Sequence, residues 1–436
     1  MRNTKERDRG NKSRLRFMVV LITIISLAIV SFVYRVQEMN KVTKNTEIIV
    51  QNVKNFKQNS NSDIDNIKTI DEQRLIEEVG QKENISYKNH YFYGESIIFE
   101  LNNSQKVESY SLVDVKTYEV VFTKEYHDKI NEGIDLRILE EGSYLIILED
   151  SYLKTDGDVH EEEFYTVTRD GLNKKVKIEV VDDYIMLCVE TINQLPNEIY
   201  DLVIDPGHGG NDTGAEGNQL YESEEVLKIS KYLAQKFEEA GLKVKLTRED
   251  HYDPADEELY SYKELPYMDN GRVSQIYETK ANYVISNHLN AYDMTKTGYQ
   301  IFSSVHTTNE WASLISQELS LINRSAFDSN TSSRVSYGSF KEGYACESDS
   351  FQTGCLFSNI SDYYYMIRET GGQLTHASGL VTYNEEFSSI PLHGAETILM
   401  EYAFIDNELD TNLWLNEWQQ YADAVVKATL DYLEIK

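Results

Sequence analysis

From residue 200 to the end of the chain, short apolar runs alternate with amphipathic stretches, and three of the runs end on residues that carry chemistry. Leu202-Val203-Ile204 leads into Asp205-Pro206-Gly207-His208-Gly209-Gly210, with Glu222 shortly downstream. Val284-Ile285-Ser286-Asn287 leads into His288, and Thr397-Ile398-Leu399-Met400 leads into Glu401. Strands alternating with helices imply a mostly parallel twisted sheet with helices on both faces. In such sheets, ligand-binding groups gather just beyond the carboxyl ends of the strands. His208, His288 and Glu401 all fall at such ends. Two histidines and one carboxylate are what a hydrolytic zinc site needs, with one position left for water. A further carboxylate can then serve as general base.

The spacing predicts the elements in order. Tyr200–Asp205 reads as a strand. Glu222–Glu239 reads as a helix, with Val226, Leu227, Ile229, Leu233 and Phe237 on one face and Gly241 at its end. Strands are expected at Lys243–Thr247, Ala281–Ser286, Tyr363–Arg368 and Glu396–Glu401. Helices are expected at Arg272–Thr279, Trp311–Leu321 and Thr411–Leu433.

The first half differs in texture. Residues 2–16 hold seven Lys or Arg against two acids, and Phe17 to Tyr34 carries no charge. Eighteen residues at about 1.5 Å each cover roughly 27 Å, close to the hydrocarbon thickness of a bilayer. No small-x-small cleavage pattern follows the run, so an uncleaved transmembrane anchor is expected. Its basic flank would lie inside and the rest of the chain outside. Residues 35–84 read as a linker. Residues 85–197 show period-two runs broken by Gly, Asn and Asp, the pattern of a β-rich accessory domain built as an antiparallel sandwich or small barrel. One of those runs is Ile134–Leu139. The expected organisation is therefore a basic segment 1–16, an anchor 17–34, a linker 35–84, a β-rich domain 85–197 and an α/β catalytic domain 198–436.

A net charge of −31 argues against nucleic acid, because phosphate binding needs a basic face. Cys188 reads as a buried hydrophobe, while Cys346 and Cys355 could close a small disulfide loop outside the cell. His90, His127 and His160 lack metal-like spacing and read as solvent-facing. His251, His306, His376 and His393 read as surface or loop residues, although His376 and His393 could approach the site.

Residues 200–436 resemble the zinc-dependent N-acetylmuramoyl-L-alanine amidases of bacterial cell walls. The resemblance rests on several motifs in the family's order. The opening strand and loop run from Val203 to Gly210. Glu222 is followed by Leu227 and Ile229. Then come Leu246-Thr247-Arg248, Arg272-Val273 with Ala281-Asn282, and Ser286-Asn287-His288-Leu289-Asn290-Ala291. Ile367-Arg368-Glu369-Thr370 and the closing run Met400-Glu401-Tyr402-Ala403-Phe404-Ile405-Asp406-Asn407 complete the set. Ser223 stands where the family usually has Lys, and Tyr402-Ala403 where Leu-Gly is commoner. About two dozen residues are inserted between Thr370 and Glu396, and Ile322 to Ile360 looks enlarged.

The resemblance implies that His208, Glu222 and His288 hold one Zn2+ and that Glu401 is the general acid/base. It implies that the substrate is the amide between N-acetylmuramic acid and L-alanine of the peptidoglycan stem peptide. Glu224 and Glu225 lack the offset to Leu227 and Ile229 that Glu222 has. Asp205 reads either as an acceptor orienting His208 or as a turn residue. Arg272 reads as a structural ion-pair partner, while Arg368 could meet acidic groups of a peptide. The partners implied are peptidoglycan and, through the N-terminal helix, the membrane, with room for a protein partner on the β-rich domain. Two other readings stay open: an inactive amidase-like scaffold, and a zinc peptidase acting on another amide.

Overall fold

The computed structural model of the chain describes residues 85–435, except 103–108, 118, 126–132, 149–150, 161–162, 168–170, 251–270, 304–309, 323–338, 343–365, 368–369 and 373–391. The expected anchor and linker, Cys346, Cys355, Arg368, His127, His251, His306, His376 and most of both insertions lie outside the described residues. Among the described residues, no helix is long and apolar enough to cross a membrane.

The stretch of residues 85–192 is β-rich. Its strands are β1 (Ile85–Tyr93), β2 (Ser96–Leu101), β3 (Ser109–Asp114), β4 (Val120–Glu125), β5 (Ile134–Asp135), β6 (Gly142–Leu148), β7 (Ser151–Lys154), β8 (Glu163–Tyr165), β9 (Asn173–Val181) and β10 (Tyr184–Ile192). They form one sheet in the order β4-β3-β6-β10-β7-β1-β2-β5, with β9 and then β8 branching from β10. Most pairings are antiparallel; β1 and β7 meet in parallel at Ile85 and Ser86. Its two largest apolar clusters fill it, the larger including Phe92, Ile97, Tyr110, Ile146 and Leu187.

Three sequence readings fail in this domain. The run Ile134–Leu139 is a strand for two residues only. Asp135 then accepts the Arg137 backbone N–H at 2.9 Å and turns Leu136–Ile138 into a 3-10 turn. His90 is fully buried, with Nδ1 at 2.7 Å from the Tyr87 hydroxyl. Cys188 is only half-buried, beside the Ser143 hydroxyl.

The second domain is the expected α/β unit. Its elements are β11 (Leu202–Pro206), β12 (Glu216–Gly217), β13 (Leu220–Tyr221), α1 (Glu222–Glu239), β14 (Val244–Leu246), α2 (Arg272–Thr279), β15 (Tyr283–Asn290), β16 (Gln300–Ser303), α3 (Glu310–Leu319), β17 (Ser339–Glu342), β18 (His393–Gly394), β19 (Glu396–Phe404) and α4 (Glu408–Tyr432). The main sheet runs β14-β11-β15-β19-β16-β17. Its first four strands are parallel, and β16 returns antiparallel to β19. Short β12 and β13 make a separate hairpin that delivers the chain to α1.

Alternation along each strand sorts its residues between two covered faces. On one face Leu202, Ile204, Ile285 and Met400 pack against Val226, Ile229, Leu233 and Phe237 of α1 and Trp414, Tyr421 and Val425 of α4. Each large side chain so withdrawn from water contributes about 1.5–3 kcal/mol. On the other face Val203 and Val284 meet Val273 and Ile276 of α2 together with Met366. Met366 and Ile367 are helical, and the Thr370 N–H donates to the Met366 carbonyl at 3.1 Å, so the strand expected at Tyr363–Arg368 is not formed there. Asn407 opens α4, its side-chain oxygen accepting the Leu409 N–H at 3.0 Å. That cap explains the asparagine closing the last sequence motif.

The two domains are joined through hydrogen bonds. His393 and Gly394 of β18 pair in parallel with Phe92 and Tyr93 of β1. Glu95 is buried, taking the Val167 N–H at 2.6 Å on one oxygen and the Tyr283 hydroxyl at 2.8 Å on the other. Arg137 is held by both oxygens of Asp135 and donates to the Tyr432 carbonyl at 3.2 Å. His393 is therefore neither exposed nor near the expected site. It is buried against Phe164, with Nε2 at 3.1 Å from the Asn282 side-chain oxygen. Burial pushes its pKa down to about 3, as it does for His90.

Candidate metal centre

His208, Glu222 and His288 come together at the carboxyl ends of β11 and β15 and the first residue of α1. His208 Nε2 lies 3.1 Å from Glu222 Oε1, and His288 Nδ1 lies 3.1 Å from the same oxygen. The two ring nitrogens are 3.2 Å apart. Three lone-pair atoms thus form a nearly equilateral triangle. Zinc bonds imidazole and carboxylate at about 2.0–2.1 Å, and the edge of such a tetrahedron is about 3.3 Å. The residues present therefore fit a small tetrahedral cation, with one corner left over.

The local backbone explains why this sequence presents these atoms. His208 has φ of +57°, followed by Gly209 at +128° and Gly210 at +55°. A left-handed histidine is strained and needs to be held. Two buried arginines hold it through the turn carbonyls. Arg272 donates to the Pro206 carbonyl at 2.8 Å and to the His208 carbonyl at 2.5 Å. Arg248 donates to the Gly207 carbonyl and to the Ser223 carbonyl, each at 2.8 Å. At two glycines a side chain would collide with the triangle. A Cβ on Gly207 would stand 2.3 Å from the His288 ring, and one on Gly214 2.7 Å from both Glu222 Oε2 and the His208 ring.

Glu222 is 3 % exposed, and both its oxygens are committed. Oε2 accepts the Ala215 N–H at 2.7 Å, and Oε1 accepts the Leu289 N–H at 2.9 Å while facing the two rings. Burial opposes its charge, but the two imidazoles hold its carboxyl far below the usual range. Burial likewise opposes charge on His208. Glu222 and then Asp212 more than offset it, raising the His208 pKa to about 10. The metal-free pocket thus stores a proton on His208.

Asp212 is the residue that sequence reasoning missed. Its Oδ2 lies 2.8 Å from His208 Nδ1, and its Oδ1 accepts the Gly214 N–H at 2.9 Å. It keeps a hydrogen on Nδ1, so that Nε2 can present a lone pair. Asp205 does not do this. Its carboxylate takes Thr247 at 2.6 Å, Arg272 at 2.7 Å and Ser286 at 2.9 Å, so it braces the strand ends. Arg272 is the expected ion-pair partner. Glu225 is occupied by the Trp414 indole N–H at 2.7 Å, and Glu224 faces solvent. A carboxylate four residues after a histidine in a glycine-rich loop was the available signal for Asp212.

Glu401 is 2 % exposed and sits in register with His288 across β15 and β19. Registered residues on neighbouring strands project from the same face. The carboxylate thus stands beside the triangle rather than within it.

The sequence profile of the N-acetylmuramoyl-L-alanine amidase family matches residues 202–431. The chain belongs to this family. A germination-specific N-acetylmuramoyl-L-alanine amidase of Bacillus subtilis is 37% identical over 103 residues, which are 23% of this chain and 44% of that relative. A probable cell wall amidase of Staphylococcus aureus, LytH, is 48% identical over 52 residues, 11% of this chain and 18% of that protein. This amidase-family chain thus matches less than half the length of either relative. Among solved structures, an N-acetylmuramoyl-L-alanine amidase of Nostoc punctiforme matches 55% of the chain and 99% of its own at 20% identity, with a TM-score of 0.35. The CwlD amidase of Clostridioides difficile, solved with the GerS lipoprotein, matches 54% of the chain and 100% of its own at 21% identity, with a TM-score of 0.36.

Proposed function

We propose that the chain is a zinc-dependent peptidoglycan hydrolase that cleaves the amide between N-acetylmuramic acid and L-alanine of the stem peptide. The observation that carries this reading is the triangle of His208, Glu222 and His288 with Glu401 beside it in register. A zinc ion held by those three residues supplies positive charge that acidifies water and polarises the scissile carbonyl. The chain's own groups do the rest. Asp212 fixes the tautomer of His208, and the backbone N–H groups of Ala215 and Leu289 orient Glu222. Glu401 takes the proton of the attacking water and returns it to the nitrogen of the departing L-alanine. The membrane-anchored topology of residues 17–34, with the catalytic domain outside, is part of the same proposal, because peptidoglycan lies outside the cytoplasmic membrane.

The full chain, purified with one equivalent of zinc, should release peptides with a new N-terminal L-alanine from peptidoglycan. Glu401→Gln should keep the zinc and lose about 10²–10⁴-fold in turnover. Wild-type-like turnover in that variant would sink the assigned mechanism. Products cut elsewhere would move the enzyme to another amide.

A further inference from the structure

The same sheet edge carries a fourth polar side chain with no role in the chemistry above. Gln300 opens β16 and is the antiparallel register partner of Glu401. His288, Glu401 and Gln300 therefore stand in one row on one face, across β15, β19 and β16. Side chains directly opposite on neighbouring strands have Cβ atoms about 5 Å apart. The row thus extends about 10 Å from His288 and runs away from His208.

Gln300 is half-buried and held at one end only. Its Oε1 accepts the Asn290 Nδ2 hydrogen at 2.8 Å. That bond commits the acceptor and leaves Nε2 with two N–H donors, for which no acceptor occurs among the described residues. A neutral amide in this state can take up carbonyl oxygens of a peptide.

The order of groups along the edge gives the substrate a direction. The scissile carbonyl belongs at the triangle. A group that protonates the departing nitrogen must stand on the leaving-group side of that carbonyl, and Glu401 stands on the β19 side. Whatever follows the departing nitrogen then continues over β16. We propose that Gln300 reads the stem peptide, donating from Nε2 to one of its carbonyl oxygens, while the glycan side of the substrate lies over β11 and β14. This assignment rests on the amidase reading and adds a polarity to it.

The test uses the full chain and the two halves of the cleaved substrate as separate probes. In the metal-free protein, Gln300→Leu should weaken binding of the tripeptide L-alanyl-γ-D-glutamyl-L-lysine about tenfold, by removing a hydrogen bond, and leave N-acetylmuramic acid binding as in the wild type. The unchanged sugar affinity also reports that the variant is folded. In the zinc-loaded protein, the same substitution should raise KM for a substrate with the complete stem peptide about tenfold while kcat holds. With the leaving group cut back to L-alanine, KM should hold as well. Loss of sugar affinity, equal loss for both probes or no loss for either overturns the assignment. Wild-type protein that releases no stem peptide refutes the amidase reading and this one with it. Wild-type turnover with an indifferent Gln300→Leu refutes this assignment alone.

Discussion

Two histidines, the half-buried His208 and the buried His393, show opposite outcomes of the same desolvation. At the domain junction His393 has aromatic rings and a neutral amide for neighbours, and burial drives its pKa down to about 3. At the carboxyl ends of the strands burial acts the same way on His208, but two carboxylates outweigh it and the pKa rises to about 10. Low dielectric strengthens whatever charge is placed nearby. Burial with no carboxylate beside it, helped here by the positive charge of Lys280, silences an imidazole. Burial beside Glu222 and Asp212 turns it into half of an ion pair, and a divalent cation can take the proton's place.

The comparison breaks first if the carboxylate is not what makes the site. Glu222→Gln should reduce zinc binding by more than a thousandfold, roughly the loss of one charged ligand from three. Zinc content after dialysis, read by mass spectrometry, checks this; stoichiometric zinc in the variant would mean the triangle is not the ligand set. A second, smaller effect follows from the stored proton. His208 is protonated below about 10 in the metal-free pocket and must be neutral to bind, so uptake near neutral pH should release about one proton. Apparent affinity should then climb about tenfold per pH unit from pH 7 towards 10. Calorimetry in two buffers of different ionisation enthalpy counts the proton, and buffer-independent heat would remove the ion pair from the account.

The smallest effect lies at the junction. His393 has a folded pKa of about 3 against the 6.5 of an unperturbed histidine, so the unfolded chain binds more protons below 6.5. Its contribution is complete above 6.5 and is lost as pH falls towards 3. His90 acts in the same direction. Glu396 and Asp410, both pushed up to about 7 by burial, act oppositely, because the folded chain takes up their protons first. Between about 6.5 and 4.5 the contributions of these four groups therefore nearly cancel one another. Removing one member uncovers the others. His393→Gln should gain about 2 kcal/mol on the wild type between pH 7 and pH 5, whatever its offset at pH 7. Urea unfolding at the two pH values measures it, and a difference that does not move with pH would overturn the reading of His393 as a neutral core residue.

What the sequence made legible divides along the same line. His208, His288 and Glu401 each end an apolar run long enough to read as a strand, and strand ends in a parallel sheet share one edge. Glu222 is marked by the helical spacing behind it. Signals shorter than a period did not register. The four residues Gln300-Ile301-Phe302-Ser303 are too few to announce an antiparallel strand, and Asp212 acts through a loop rather than an element. The junction histidine, His393, was illegible for another reason. Asn282 and His393 are 111 residues apart, and Arg137 and Tyr432 are 295 apart, distances at which no local pattern signals burial. A histidine on a polar-looking stretch reads as exposed until the partner that covers it is known.

The parallel pairing of β1 with β18 has a practical corollary for anyone dividing this chain for expression. Scissors applied at residue 198 would strip the Phe92 N–H from the Leu392 carbonyl and the Gly94 N–H from the Gly394 carbonyl, and would bare the Tyr283 hydroxyl, all at the threshold of the strand that carries Glu401. The safe cut falls before residue 85, and a transplant of this α/β unit to another carrier has to take its β-rich companion along.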